Sequence, residues 1–399
     1  MAAETEVTQD RNTVSGDVSP LESIAPPRRR SVLFVLPTLH GGGAERVVLT
    51  ILRHLDRHLF EVSLAVVDAR KPVFAADLPQ GIEVIDLGCT RVRYSGAALI
   101  RLIWERRPDI VFCALGHLNL QLALIKPLLP RSTKLIARET IVMSSYLIGN
   151  RFSRAWKFAY RFLLPRCDAI ICQSQDMKDG LVSAIGLSSK NMMVVQNPVD
   201  IKRVRELSNE PLEPDFRHDS SVDTSTIRLV AAGRLVWQKG FDLLIEAIAL
   251  LGNSCFHATI VGQGQLRGEL EKLAMQLGVG PQIHFLGFRS NPYPLFKSAD
   301  AFVLSSRFEG MPNVVLEALA CGTGVIATPA PGGIHELLQG RPCCAIAKSV
   351  SARSLAEALE RYDFRNRANH LEFELDDYTV ETVCSRYANI FSTIGAEPP

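Results

Sequence analysis

The chain has 399 residues, 47% of them hydrophobic and 22% charged, a length and balance that exclude a disordered protein and suit two domains. Its 44 Lys and Arg nearly cancel 42 Asp and Glu, but residues 27–200 hold 24 basic against 14 acidic side chains while residues 201–399 hold 19 against 23, so the halves face different partners. Nine irregularly spaced cysteines without a Cys-x-x-Cys pair exclude a disulfide framework or zinc site as the organising feature, and no apolar run reaches the roughly 18 to 20 residues of a membrane span.

Residues 1–26 are polar and mildly acidic, lack the basic start and apolar core of a secretory leader, and read as the disordered tail of a cytoplasmic protein. Residues 31–37 (SVLFVLP) are continuously apolar, as in a parallel strand buried on both faces. A glycine-rich turn, His40-Gly41-Gly42-Gly43, follows, and residues 44–55 then carry Val47, Val48, Ile51, Leu52 and Leu55 at helical spacing. The pattern predicts further strands at 62–67, 83–87, 109–114, 134–137, 169–173 and 193–196, with helices between most of them. Polar, proline-bearing sequence at 209–226 reads as a linker. Beyond it, strands predicted at 228–232, 258–261, 282–286, 301–304 and 324–327 alternate with helices at 240–251, 265–276 and 312–320. Two doubly wound α/β domains in series leave a cleft between the carboxyl ends of their strands, and that cleft is the expected active site.

The strongest local motif is FEGMPNVVLEALACG, residues 308–322. Pro312 suits the first helical position and Gly322 the residue just past the end. The helix between them is apolar nearly all round, so Glu317 is buried and must find hydrogen-bond donors, either a ligand's hydroxyl groups or an internal arginine. Glu309, eight residues earlier, faces the cleft from the preceding loop, where Gly310 lets a ligand approach the backbone. In AAGRLVWQKGF, Arg234 and Lys239 occupy a loop at the carboxyl end of a buried strand, where two cations can hold a departing diphosphate as a metal does elsewhere. The turn Val261-Gly-Gln-Gly-Gln-Leu-Arg-Gly268 nearly spells a dinucleotide fingerprint. Its last glycine comes one place late and no acid follows near His284, so it reads as a tight turn with its backbone toward a nucleotide. The His40–Gly43 turn lacks the Gly-Lys-Ser/Thr ending of a triphosphate loop. No Asp-x-Asp pair exists, so no metal is implied.

In their order, these segments resemble the family-4 retaining glycosyltransferases of the GT-B fold, over about residues 31–338. The resemblance rests on the glycine turn with Gly43-Ala-Glu-Arg46, Gln196-Asn-Pro-Val-Asp200, Gly233-Arg-Leu, Val261-Gly-x-Gly264, Phe285-Leu-Gly287 and the Glu309/Glu317 pair. It implies two Rossmann-like domains facing across a cleft: an acceptor-binding domain at 27–204, a linker at 205–226, a nucleotide-sugar domain at 227–375, and a C-terminal helix at 376–399 returning to the first domain. It implies that Arg234 and Lys239 bind the donor diphosphate, Glu309 the donor sugar and Glu317 the ribose, with Gly42, Gly43, Gly310 and Met311 giving backbone contacts to donor or acceptor. A catalytic-site histidine is also implied, for which His117 (ALGHLN) and Glu139 (ARET) are both candidates. Met311 stands where many members carry an aromatic residue, which touches the donor-sugar contacts, and Gly324 stands where many carry proline.

The activity implied is sugar transfer from a nucleotide-diphosphate sugar, with retention, to a glycan or polyprenyl-diphosphate-linked acceptor in polysaccharide or lipid-linked oligosaccharide synthesis. No cofactor and no nucleic acid are expected. The alternatives are a nucleotide-sugar epimerase on the same fold and a non-catalytic nucleotide-sugar-binding subunit. Over residues 146–166, Arg151, Arg154, Lys157 and Arg161 recur at helical spacing among Phe152, Trp156, Phe158, Tyr160 and Phe162. Such a helix suits an anionic membrane surface, making the protein peripheral at the inner face of the cell membrane. The same pattern also fits a helix that packs its rings on the sheet.

Overall fold

The computed structural model describes residues 28–39, 42–70, 78–140, 142, 153–212, 226–252, 255–364 and 373–395. The tail at 1–26, His40, Gly41, Arg151, Phe152 and most of the expected linker lie outside them.

The first sheet is wholly parallel and has seven strands: β1 (Arg30–Thr38), β2 (Phe60–Asp68), β3 (Glu83–Asp86), β4 (Ile110–Ala114), β5 (Lys134–Arg138), β6 (Ala169–Cys172) and β7 (Met192–Val194). Their order is β3-β2-β1-β4-β5-β6-β7, so the winding reverses between β1 and β4. Pro37 falls beyond Val35, the last residue of β1 paired with β4, where its missing N–H leaves no bond to that neighbour unmade. The helices of this unit are α1 (Gly43–His54), α2 (Gly96–Arg106), α3 (Gly116–Ile125), α4 (Ser153–Leu163) and α5 (Gln175–Gly180).

Helix α6 (Ile201–Ser208) takes in residues 205–208, where the sequence suggested the start of the linker. Asp200 caps it by accepting from the Arg203 N–H at 2.9 Å, and Val204 buries its inward face in the second unit. The polar residues of this stretch are the outer face of a helix, which composition alone reads as a loop.

The second sheet, also wholly parallel, has six strands: β8 (Ile227–Ala232), β9 (Phe256–Val261), β10 (Ile283–Gly287), β11 (Ala301–Leu304), β12 (Val325–Ala327) and β13 (Cys344–Ile346). Their order, β10-β9-β8-β11-β12-β13, reverses between β8 and β11. Its helices are α7 (Phe241–Leu251), α8 (Arg267–Gln276), α9 (Tyr293–Ser298), α10 (Asn313–Ala320), α11 (Ile334–Leu338) and α12 (Ala352–Arg361), followed by the C-terminal α13 (Val380–Thr393). Strand β13 is missing from the sequence reading. It is three residues long, only half-buried, and follows Cys343 in a left-handed conformation (φ +54°), so it carries no continuous apolar run. Gly324, just before β12, sits beside Tyr362, whose hydroxyl donates to the Cys343 carbonyl at 2.8 Å.

Each strand feeds two cores because successive side chains leave on opposite faces. Along β1, Leu33 and Val35 join the core under α2 and α3, while Val32, Phe34 and Leu36 join the core under α1. Helix α13 closes that second core, although it follows the second domain in sequence. Tyr387 and Phe391 are fully buried against Phe34 and Phe112, with ring centroids 5.6 to 6.0 Å apart in edge-on contacts. The chain therefore crosses between the units twice, once near Val199 and once near Thr379, where the two crossings form a parallel bridge.

Candidate active site

Each sheet places its reversal point at the same side of its strands. Loops leaving β1 and β4 flank the first reversal, and loops leaving β8 and β11 flank the second. In open α/β sheets that crevice is where ligands bind. The loop after β8 carries Arg234 and Lys239, and the loop after β11 carries Glu309, so the sheet order brings together residues some 70 positions apart. Lys239 Nζ lies 2.6 Å from Glu309 Oε1, and the Ser306 hydroxyl donates to the same oxygen at 2.6 Å. Both charged side chains are largely buried, at 17% and 7% exposure, whereas Arg234 is exposed and has no ion pair among the described residues. The Glu309 N–H donates to the Pro331 carbonyl at 3.0 Å. Behind it stands Gly332 at φ +121°, where an added Cβ would lie 1.7 Å from the Glu309 carbonyl oxygen. Only glycine allows that approach.

Helix α10 begins at Asn313, with Pro312 as its cap residue, and Gly322 lies just past its end at φ +79°. Glu317 is 8% exposed on its buried face. Its donors in this structure are the Tyr293 hydroxyl and Arg46, whose Nη1 comes from the first domain to within 3.4 Å of Oε1. Burial raises the Glu317 pKa, and Arg46 and Tyr293 oppose that shift. Arg46 belongs to the Gly-Ala-Glu-Arg turn, and its meeting with Glu317 could not be read from the sequence. The glycines of the Val261–Gly264 turn let two loops meet closely, since a Cβ on Gly262 would lie 1.9 Å from the Gly233 carbonyl oxygen. Their turn packs against the loop after β8, with the Leu235 N–H donating to the Gln263 carbonyl at 2.9 Å, so it braces the Arg234 loop.

The other expected backbone contacts lie along the junction of the two domains. Gly42 caps α1 beneath the Glu45 carboxylate, and the Gly43 carbonyl accepts from Asn313 Nδ2 at 3.4 Å. Gly310 lies against the Thr140 carbonyl and Gln173 of the first domain, while Met311 is buried with its sulfur against Gly333. A reciprocal staple ties the same loops: Asp176 Oδ2 accepts from the Gly332 N–H at 2.6 Å, and Glu336 Oε1 accepts from the Asp176 N–H at 3.0 Å.

His117 and Glu139 come to adjacent strand ends but into different settings. His117 is exposed in the first turn of α3, after Leu115 at φ +83°, a strained conformation for a leucine. Desolvation by the surrounding protein lowers its pKa and so favours the neutral ring. Glu139 is 1% exposed and accepts from Asn119 Nδ2 at 2.6 Å and the Tyr160 hydroxyl at 3.1 Å. Burial raises its pKa against these two bonds and the neighbouring Arg138. Among the described residues no cluster of three or more His, Cys, Asp or Glu side chains is placed to hold a metal ion.

Two parallel α/β units facing across this cleft define the GT-B class of fold. Residues 41–203 match the family described as Glycosyltransferase Family 4 and residues 226–362 the family described as Glycosyl transferases group 1, together most of the chain. The chain belongs to family-4 glycosyltransferases of the GT-B fold. It is 29% identical to an uncharacterized glycosyltransferase of Methanocaldococcus jannaschii, over 60% of this chain and 60% of that protein's length. It is 28% identical, over 75% of this chain and 81% of the relative, to the Campylobacter jejuni N-acetylgalactosamine-N,N'-diacetylbacillosaminyl-diphospho-undecaprenol 4-alpha-N-acetylgalactosaminyltransferase. Among solved structures, Anabaena HepE in complex with UDP shares the fold with a TM-score of 0.72 at 20% identity, over 91% of this chain and all of that one.

Proposed function

We propose that this glycosyltransferase moves a hexosyl or N-acetylhexosaminyl group from a nucleotide-diphosphate sugar, with retention and without a metal ion, to a glycan or polyprenyl-diphosphate-linked acceptor. The observation that carries the reading is the Lys239–Glu309 contact at the second reversal point. In the reaction the bond from the anomeric carbon to the diphosphate oxygen breaks through an oxocarbenium-like sugar, negative charge grows on the leaving group, and the acceptor hydroxyl oxygen bonds to the anomeric carbon as its proton passes to the departing phosphate. Lys239 and Arg234 stabilise that charge in a closed cleft where it is not shared with water. Glu309, held along one edge by Lys239 and Ser306, accepts from donor-sugar hydroxyls. Glu317 accepts from the ribose hydroxyls in place of Arg46. The backbones of Gly42, Gly43, Gly310 and Met311 line the space between.

His117 takes the cleft-facing role at the first domain. Its neutral ring can accept a hydrogen bond from a sugar hydroxyl, and the strained Leu115 backbone aims it. Glu139 supports the start of α3, the helix that carries His117, through its bonds to Asn119 of that helix and to Tyr160. The Campylobacter relative's diphospho-undecaprenol acceptor supports a lipid-linked acceptor here, met at the inner face of the cell membrane.

Metal independence is tested by chelation. Transfer is expected to persist in excess EDTA, and its complete loss with recovery on added manganese or magnesium would show that a metal supplies the charge assigned to Arg234 and Lys239.

A further inference from the structure

The segment Gln196-Asn-Pro-Val-Asp200 is the first of the two crossings between the domains, and the chemistry above gives it no role. Most of its contacts hold the crossing itself. Gln196 Oε1 accepts from Arg386 of α13 at 2.6 Å, the Val199 N–H donates to the Tyr378 carbonyl at 2.8 Å, and Asp200 caps α6. Asn197 instead reaches the donor-site loop.

Its orientation is set by Arg138, which is fully buried at the end of β5. A guanidinium can only donate. Arg138 Nε donates to the Tyr387 hydroxyl at 3.0 Å and Nη2 to Asn197 Oδ1 at 2.5 Å. With Oδ1 turned to the cation, Asn197 Nδ2 must face the other way, where it donates to Asn313 Oδ1 at 2.5 Å and to the Met311 carbonyl at 3.4 Å. Asn313 passes the polarity on, donating from Nδ2 to the Gly43 carbonyl at 3.4 Å. Every bond points the same way, from a buried cation in the first domain, through the turn between Glu309 and Glu317, to the start of α1.

We infer that Asn197, oriented by Arg138, is a positioning residue: it seats the Met311-Pro312-Asn313 turn, and with it the carboxylates on either side, against the first domain when the cleft closes. The inference rests on the transferase reading above. It makes nucleotide binding a property of the second domain and turnover a property of the seated pair.

Asn197→Asp separates this from a merely structural role. The new carboxylate still accepts from Arg138 Nη2 and carries the opposite charge, so the buried cation keeps this acceptor and gains an ion pair. The N–H donor, however, is replaced by an oxygen facing the Met311 carbonyl and Asn313 Oδ1. If Asn313 turns its amide to compensate, it loses Gly43. The expected result is a melting temperature at or above that of the wild type, with affinity for whichever of UDP, GDP or ADP binds the wild type changed by less than about twofold. Turnover of the matching nucleotide sugar is expected to fall roughly tenfold or more. Asn313→Ala, alone and combined with Asn197→Asp, completes a cycle in which the double variant falls little further than the worse single one. Unchanged turnover in Asn197→Asp, a joint fall in turnover, nucleotide affinity and melting temperature, or additive losses in the double variant would each overturn the inference. A wild type that turns over none of the UDP-, GDP- or ADP-activated sugars would overturn it too, by removing the reading beneath it.

Discussion

Lys239 and Glu309 meet at 2.6 Å in a place where neither is well hydrated, so each depends on the other for charge balance. Removing either leaves a different ligand group without its partner. Lys239→Ala should weaken nucleoside diphosphate binding by about tenfold or more, because a cation on the leaving group is lost from both ground and transition states. Glu317→Ala should do the same through the ribose. Glu309→Ala should leave nucleoside diphosphate affinity within about threefold and lower turnover of the intact donor by roughly 100-fold. Calorimetric titration beside steady-state rates distinguishes them, and unchanged turnover in Glu309→Ala would show that the donor sugar lies elsewhere. At this scale the sequence showed the residues that sit beside a diagnostic pattern: a carboxylate on an apolar helix, two cations after a buried strand. It did not show what Arg46 meets, nor did it single out Tyr293, Arg138 or Asp176, because their importance comes from partners up to some 270 residues away. No local spacing records such a pairing.

Helix α4 shows how far an amphipathic pattern can be read. Its sequence fitted both a sheet-packing helix and a membrane-facing one, and the structure gives each set of rings a different place. Tyr160 is buried and Trp156 and Leu163 pack on the same core, while Phe158 and Phe162 stand 65% and 53% exposed with centroids 4.4 Å apart. Arg154, Lys157 and Arg161 are exposed beside them. Two aromatic rings among cations suit an anionic lipid surface, where each basic residue contributes roughly 1 kcal/mol. The wild type is expected to cosediment with anionic liposomes at moderate salt and much less with neutral ones. Replacing both phenylalanines by serine should release it without lowering thermal stability, since neither ring is in the core. Equal binding to both liposomes, or to neither, would assign this face to another use. Most strands were legible because both faces of a parallel sheet are covered and their sequences are continuously apolar. Among the strands the exception is β13, short and half-exposed like a loop, and the sequence reading also passes over helices α9, α11 and α12.

At the level of the whole molecule, the two domains are tied by a double crossing and by α13, whose Tyr387 and Phe391 fill the first domain's core. The donor loops of the second domain are therefore held against the first by Asn197, Asp176 and Arg46, and the cleft can exclude water only with both domains in place. Among the described residues no helix is long and apolar enough to cross a membrane. The central claim is that this cleft holds a nucleotide-diphosphate sugar by its diphosphate. The most direct test is the melting temperature of the wild type and of Lys239→Ala in a panel of UDP-, GDP-, ADP- and dTDP-activated sugars. At about a hundredfold excess over the dissociation constant, one nucleotide series should raise the wild-type midpoint by roughly 1 to 3 °C, with the rise reduced or lost in Lys239→Ala. No shift with any member, or the same shift in both proteins, would contradict it.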